Sequence, residues 1–569
     1  MARAGLGNRL AMWRALRAAP ARGFVSQPEP RSIGLFARGR QLLAGNVLLA
    51  GHLAEAPGTP IWDLGADVPG FAAEAHGFAW LDDLAAVGDA AARSRAQDWV
   101  WDWIARFGPG RGPGWHPDLT GRRLIRWINN APFLLMGRDK AAADAFFHQL
   151  TAQTLFLSRR WQQAAPGIAR IEALTGLLVA SLALTGMERL VPPAIAALAD
   201  HCGREIDAEG GIPTRCPEEL LEVFVLLTWA ERALSETGRL PPATLIAALE
   251  RMAPALRLLR HADGGLARFQ GGGRGAEGRL DQALAAAGVK PAAQGGFGLA
   301  MGFARLQGGR TTLIADAAAP PTGRASGAAH ASTLAFELTS GRRPLIVSCG
   351  SGKSFGADWR RAGRATPSHS TLSIDGYSSS RLAPGSEELA ECAAVTLFRQ
   401  GEDKTGLHLH LAHDGWVATH GLTHRRDLHL SSDGRHLTGT DALISETPAA
   451  RARFERLLGA GGLAGVAFAL RFHLHPDVDA ALDLGGTAVS LALKSGEIWV
   501  FRHSGGAEMR IEPGVYLETG RLKPRPARQI VLSARALAIE TALGWTLAKA
   551  QDTPLAIRDL DRDDLPVPL

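Results

Sequence analysis

Between about residues 75 and 300 the apolar positions recur at helical spacing, in segments punctuated by glycine and proline. Leu124, Trp127 and Ile128 followed by Leu134 and Leu135, then Leu174, Leu177, Leu178 and Leu182, then Leu221, Val225 and Leu226 are examples. The pattern predicts a series of antiparallel helical hairpins. No short exact period repeats, which argues against a regular solenoid and for a closed or irregular array of helix pairs. After a glycine-rich stretch at 271–297 the period becomes two. Leu407, Leu409 and Leu411 alternate with His408 and His410, Phe468, Leu470, Phe472 and Leu474 alternate with Ala469, Arg471 and His473, and Gly496 marks a turn before Ile498 to Phe501. Turn signals every ten residues or so predict an antiparallel β-sandwich of roughly 240 residues. The expected organisation is a basic leader at 1–40, a helical domain at 41–305 and an antiparallel β-domain at 306–569.

Aromatic usage divides the chain in the same place. Ten of the fourteen tryptophans lie before residue 230, whereas both tyrosines, Tyr377 and Tyr516, lie after residue 300. With 569 residues, 46% hydrophobic and 21% charged, the chain has ordinary globular composition and length for more than one core. The net charge of +6 invites a nucleic-acid reading, but its location removes that. Residues 1–40 hold eight arginines against Glu29 alone, a balance of +7, so the remainder carries −1. A nearly neutral body is a poor duplex-binding surface, and no nucleic-acid partner is expected.

The leader lacks an unbroken apolar run, since Arg14, Arg17, Pro20 and Arg22 interrupt it. No uncharged apolar run reaches membrane-spanning length, so no transmembrane segment is expected and the cytoplasm is the default compartment. Cys202, Cys216, Cys349 and Cys392 are too scattered for a disulfide framework or a Cys-x-x-Cys zinc site and read as buried thiols.

The run Val347 to Ser354 nearly spells a phosphate-binding loop, but Val347 stands where that loop needs glycine and the surroundings are antiparallel strands. A glycine-rich strand exit is the better reading. Most histidines of the β-half alternate with apolar residues, as expected of a solvated sheet face, and Arg471, His473 and His475 share one strand face that fits either an acidic ligand or a polar outer surface. His330 and His369 differ. Each sits at the entrance to a strand, where a rigid scaffold presents reactive groups, and neutral imidazole serves as base or metal ligand near neutral pH.

The run His330 to Leu338, the segment Gly341 to Val347 and His369-Ser370-Thr371-Leu372 together resemble the heparinase II/III-like family of polysaccharide lyases. Gly121-Arg122-Arg123-Leu124 and Glu209 to Pro217 are similar to the family's helical segments. The resemblance implies an incomplete (α/α) toroid of helical hairpins followed by an antiparallel β-sandwich, with a glycan cleft between them and a place in the cell envelope. It also implies β-elimination on an acidic, uronic-acid-containing polysaccharide or oligosaccharide. That reaction needs a group to neutralise the substrate carboxylate, a base for the C5 proton and an acid for the leaving oxygen.

This chain departs from the family pattern. Ile212 and Cys216 replace the usual polar residues of the helical segment, leaving Arg215 as the neutralising group, and the helical half has no tyrosine. His369 or Tyr377 would then move the proton, with His330 alongside, and Trp115 and Trp127 are candidates to stack on sugar rings. Some relatives hold a zinc ion through two histidines and an acid. Here His330 and His369 match the histidines while Ser348 takes the acid's position. Cys349 would complete the set only if the strand broke register, because adjacent residues face opposite ways. The leading expectation is therefore a lyase, with a structural zinc held by His330, His369 and Cys349 as its candidate cofactor. The alternative is a catalytically degenerate protein that binds or organises envelope glycan. Glycoside hydrolysis, needing two opposed carboxylates, would draw on Glu205, Asp207 and Glu209.

Overall fold

The computed structural model describes residues 6–26, 30–290 and 298–552. The end of the glycine-rich stretch, 291–297, and the first five leader residues lie outside them. An N-terminal helical region is followed by C-terminal antiparallel β-sheets, the division that the change of period predicts. By contacts the chain forms two compact units, residues 1–207 with 222–251, and residues 208–221 with those from Met252 onward. The first strand of the sheets is Phe303–Gly308, yet the second unit reaches back to 208–221. Side chains of that segment, Arg215 above all, are bonded to the strands.

In the first unit the helices Pro117–Asn129 and Ile168–Ala183 pack closely against each other. The family-like run Gly121-Arg122-Arg123-Leu124 makes this packing. A Cβ on Gly176 would lie 2.5 Å from the Gly121 carbonyl oxygen, so the two helices meet where neither carries a side chain. Arg122 forms a bidentate pair with Glu172 at 2.8 and 2.7 Å. Arg123, fully buried, donates to Gln153 Oε1 at 2.7 Å and to the His76 carbonyl at 3.2 Å while lying 4.2 Å over the Trp103 ring. In the same unit Trp127 packs edge-to-face with Phe78 and Trp103, Trp99 with Trp80, and Trp115 with Phe156. Trp115 and Trp127, expected as sugar platforms, are buried here and are core residues. The leader is not detached. Its helix Leu6–Leu16 packs on Lys140–Arg160, burying Asn8, Ala11 and Ala15, and Arg160 donates to Asn8 Oδ1 at 2.6 Å.

The second unit is a sandwich of two eight-stranded arrays. One orders its strands Val395–Glu402, Gly406–Trp416, Leu422–Ser431, His436–Ile444, Glu540–Gln551, Ile498–Ser504, Ala488–Leu493 and Val478–Asp483. The other runs Glu508–Tyr516, Arg525–Ala536, Val466–Leu474, Arg343–Val347, Phe336–Ser340, Thr311–Asp316 and Phe303–Gly308, with Leu372–Ile374 also on Val466–Leu474. Leucines of the period-two runs, among them Leu409, Leu411, Leu470 and Leu491, join Phe336, Phe472, Trp499 and Trp545 in one core between the arrays. No helix among the described residues is long and apolar enough to cross a membrane.

Candidate functional site

The residues singled out at strand entrances meet at one end of the β-unit. His330 follows the short helical turn Gly323–Ala328, and His369 follows Thr366–Ser368. Their rings lie 5.1 Å apart between centroids, and they are 2% and 0% exposed. Backbone and hydroxyl bonds draw the two loops together. Ala331 N–H donates to the Arg364 carbonyl at 2.8 Å, and the Thr366 hydroxyl donates to the Ala331 carbonyl at 2.9 Å. The His330 N–H donates to Gln270 Oε1 at 2.9 Å.

Position 348 faces the histidines and position 349 does not. Ser348 Oγ and His369 Nδ1 share a 3.1 Å hydrogen bond. Cys349 points to the other side, where its Sγ–H donates to His473 Nδ1 at 3.5 Å. That assignment follows from His473 Nε2, which lies 2.8 Å from the Pro367 carbonyl and so must carry the proton. The strand therefore keeps its alternation, and Cys349 does not complete the expected zinc set. His473 is not on a polar outer face: it is buried, because the 348–369 loops cover that end of the strand.

An arginine that the sequence pattern does not mark holds these loops. Arg268 donates to the carbonyls of Ser348 at 3.1 Å, Cys349 at 3.2 Å and Leu517 at 2.7 Å, and lies 3.9 Å over the Tyr516 ring. Gly350, at φ +96°, leaves room for it, since a Cβ there would also sit 2.6 Å from the Leu517 carbonyl oxygen. The Lys353-containing run is thus a strand exit clamped to arginine. From the sandwich interior Arg426 donates to the Leu334 and Ser370 carbonyls at 2.7 and 2.9 Å, and it is itself paired with buried Asp441 at 2.7 Å.

Arg215 lies beside the same loops and is fully engaged. It pairs with Asp316 Oδ1 at 2.6 Å and donates to the carbonyls of Met301, Gly302, Ala318 and Ala319. Asp316, wholly buried, also accepts from Gln270 at 2.9 Å and Ser332 at 2.6 Å. Arg215, Gln270, Met301 and Leu334 all adopt left-handed backbone, at φ 51°, 50°, 54° and 65°, a concentration of strain that this hydrogen-bond mesh sustains. Tyr377 is 45% exposed, its ring packed edge-on against His420 at 4.8 Å.

The electrostatics follow from burial. Desolvation, then the Arg364 and Arg268 guanidiniums, push His330 from 6.5 down to about 3. His369 is held well below 6.5 by burial and then by its neighbours His330 and His473. Burial lifts the Cys349 thiol to about 11. Among the described residues His330 Nδ1 has no hydrogen-bond partner, whereas the His369 ring is also approached by the Gly363 backbone. The pair lacks a third zinc ligand, because Ser348 supplies only a neutral hydroxyl and Cys349 faces away towards His473. A base of such low pKa is also a weak acceptor for a carbon-bound proton.

Residues 290–546 match the model of the heparinase II/III-like C-terminal family. The chain is 31% identical over 575 residues to FtsZ-localized protein C of Caulobacter vibrioides, covering 95% of this chain and 96% of that protein. Among solved structures, heparinase III superposes with a TM-score of 0.67 at 12% identity, over 95% of this chain and 89% of the other. A mutant heparan sulfate lyase from Pedobacter heparinus superposes with a TM-score of 0.59 at 15% identity, over 96% and 88%. At these identities the structural likeness concerns the fold alone. The family match to the β-unit and the near full-length identity to one relative together establish that the chain belongs to the heparinase II/III-like family.

Proposed function

We propose that this protein is a catalytically silent member of its family, which binds an acidic envelope polysaccharide and organises it without cleaving it. One observation carries the reading: of the groups expected to run β-elimination, the two histidines are buried and the arginine is bonded to the protein itself. His330 and His369 are buried, neutral and of depressed pKa, and the donors of Arg215 go to Asp316 and four carbonyls. A carboxylate-neutralising group must be free to meet the substrate, and a C5 base must reach it. In this reading His330, His369 and Arg215 position and pack the loops at the end of the β-unit, and Tyr377 is a surface residue beside His420. Similarity to a protein named for localisation with FtsZ supports an organising role at the division site.

The experiment is affinity electrophoresis of the full chain through gels containing uronic-acid polysaccharides, paired with incubation of the same polymers in solution. Retardation by at least one polymer, whose chain length then stays unchanged on incubation, is the expected result. Shortening of any polymer by the purified chain would restore the lyase reading, and absence of retardation by all of them would remove the glycan-binding one.

A further inference from the structure

On the side of the sheet opposite core-facing Leu409 and Leu411, the antiparallel strands Gly406–Trp416 and Leu422–Ser431 place His408 directly across from His429. Their rings stack with centroids 4.4 Å apart at 27°. The turn that leads into the first of these strands brings a carboxylate to the pair. Asp403 Oδ1 accepts from the backbone N–H groups of Thr405 at 2.7 Å and Gly406 at 3.2 Å and from the Thr405 hydroxyl at 2.5 Å. With Oδ1 occupied by the turn, Oδ2 is aimed at His408 Nε2, 2.6 Å away. His429 Nε2 sits 3.1 Å from the Thr405 hydroxyl at the edge of the same group. One ligand atom from each of Asp403, His408 and His429 lies within 4.8 Å of the other two.

We propose that Asp403, His408 and His429 form a site for a divalent transition-metal ion of the zinc class, with a fourth position open to water. Two imidazoles and one carboxylate are a donor set that zinc takes at about 2.0–2.2 Å, leaving one tetrahedral position for solvent. Donor atoms around such an ion stand roughly 3.3 Å apart by tetrahedral geometry, so closure asks only for small rotations of partly exposed side chains. The cross-strand register fixes the two histidines, and the turn bonds to Oδ1 orient the carboxylate as outer-shell partners orient metal ligands. The next cross-strand pair along the same face shows the contrast. His410 meets a single carboxylate, Asp427 at 2.7 Å, which Arg425 already approaches at 3.3 Å, and its ring lies parallel to that of His408 with centroids 6.3 Å apart, farther than the 4.4 Å of the His408 and His429 pair. That pair is a built-in control.

The test uses the full chain without a polyhistidine tag, stripped with chelator, and titrated with zinc chloride by calorimetry and with cobalt(II) by visible absorption. A single site is expected, with the intense visible bands of four-coordinate cobalt. His408→Ala and His429→Ala should each weaken zinc binding at least about tenfold and abolish the cobalt bands, the scale of loss that follows from removing a ligand or its support. His410→Ala should bind as the parent does. Because these side chains are partly exposed, melting curves of the metal-free variants should match the parent, which separates ligand loss from misfolding. No saturable binding by the parent, or binding that survives in both His408→Ala and His429→Ala, would overturn the proposal.

Discussion

Acidification should unfold the β-unit through its buried histidines, and His330 makes the size of the effect calculable. The native state holds His330 neutral with its pKa depressed to about 3, whereas the unfolded chain protonates it near 6.5. A depressed folded-state pKa means that the contribution is complete above the unfolded value and is lost as pH falls through 6.5 towards 3. By linkage, going from about pH 7.5 to about pH 5 removes about 2 kcal/mol for such a group, since the unfolded state takes up the proton and the native state does not. His473, depressed to about 4 by burial, responds with a similar loss of about 2 kcal/mol over that window. The assay is urea unfolding at both pH values, followed by circular dichroism of the strands, on the parent and on His330→Gln. The variant keeps a hydrogen-bonding side chain but no titrating one, so its stability should depend on pH by about 2 kcal/mol less than the parent's. Comparing the two differences cancels whatever the substitution costs at neutral pH. An identical pH dependence in parent and variant would refute the dry, neutral imidazole on which the functional reading stands.

Arg215→Met should cost about 3–5 kcal/mol, because it leaves Asp316 buried without its cation; a melting curve checks this, and a loss below about 1 kcal/mol would mean the guanidinium is not committed to the fold. Gly121→Ala should destabilise the first unit by about 1–3 kcal/mol through overpacking against Ala173, read as a lowered urea midpoint, while glycan retardation of the folded variant stays at the parent's level. Arg268→Lys should loosen the 348–369 loops, since one ammonium cannot span three carbonyls; faster amide exchange at Cys349 and Leu517, which are joined by a 2.7 Å backbone bond, is the expected signature.

The division into helices and strands is legible because it rests on period alone, and the runs Leu174 to Leu182 and Phe468 to Leu474 lie in the elements Ile168–Ala183 and Val466–Leu474. Alternation also foretold that Ser348 and Cys349 would part company. It does not tell what lies over a face, which is why the burial of His473 is not legible in it: the loops covering that residue come from more than 100 residues earlier in the chain. Tryptophan's chemistry suits both a sugar platform and a core, so Trp115 and Trp127 needed their neighbours to decide between the two. Arg268 carries no local signal, since its partners at Ser348, Cys349 and Leu517 are set by tertiary structure. The placement of His330 and His369 before strands marks each of them, and only the family resemblance joins the two. Their depressed pKa values required the burial that only the folded chain reveals.

The central claim, a lyase fold whose catalytic groups have been absorbed into structure, is tested most directly by following ultraviolet absorbance of the unsaturated product. The full chain would be incubated with each uronic-acid polymer that it retains. The account predicts a flat trace for every polymer, unchanged by His369→Ala. A sustained rise that His369→Ala abolishes would contradict it.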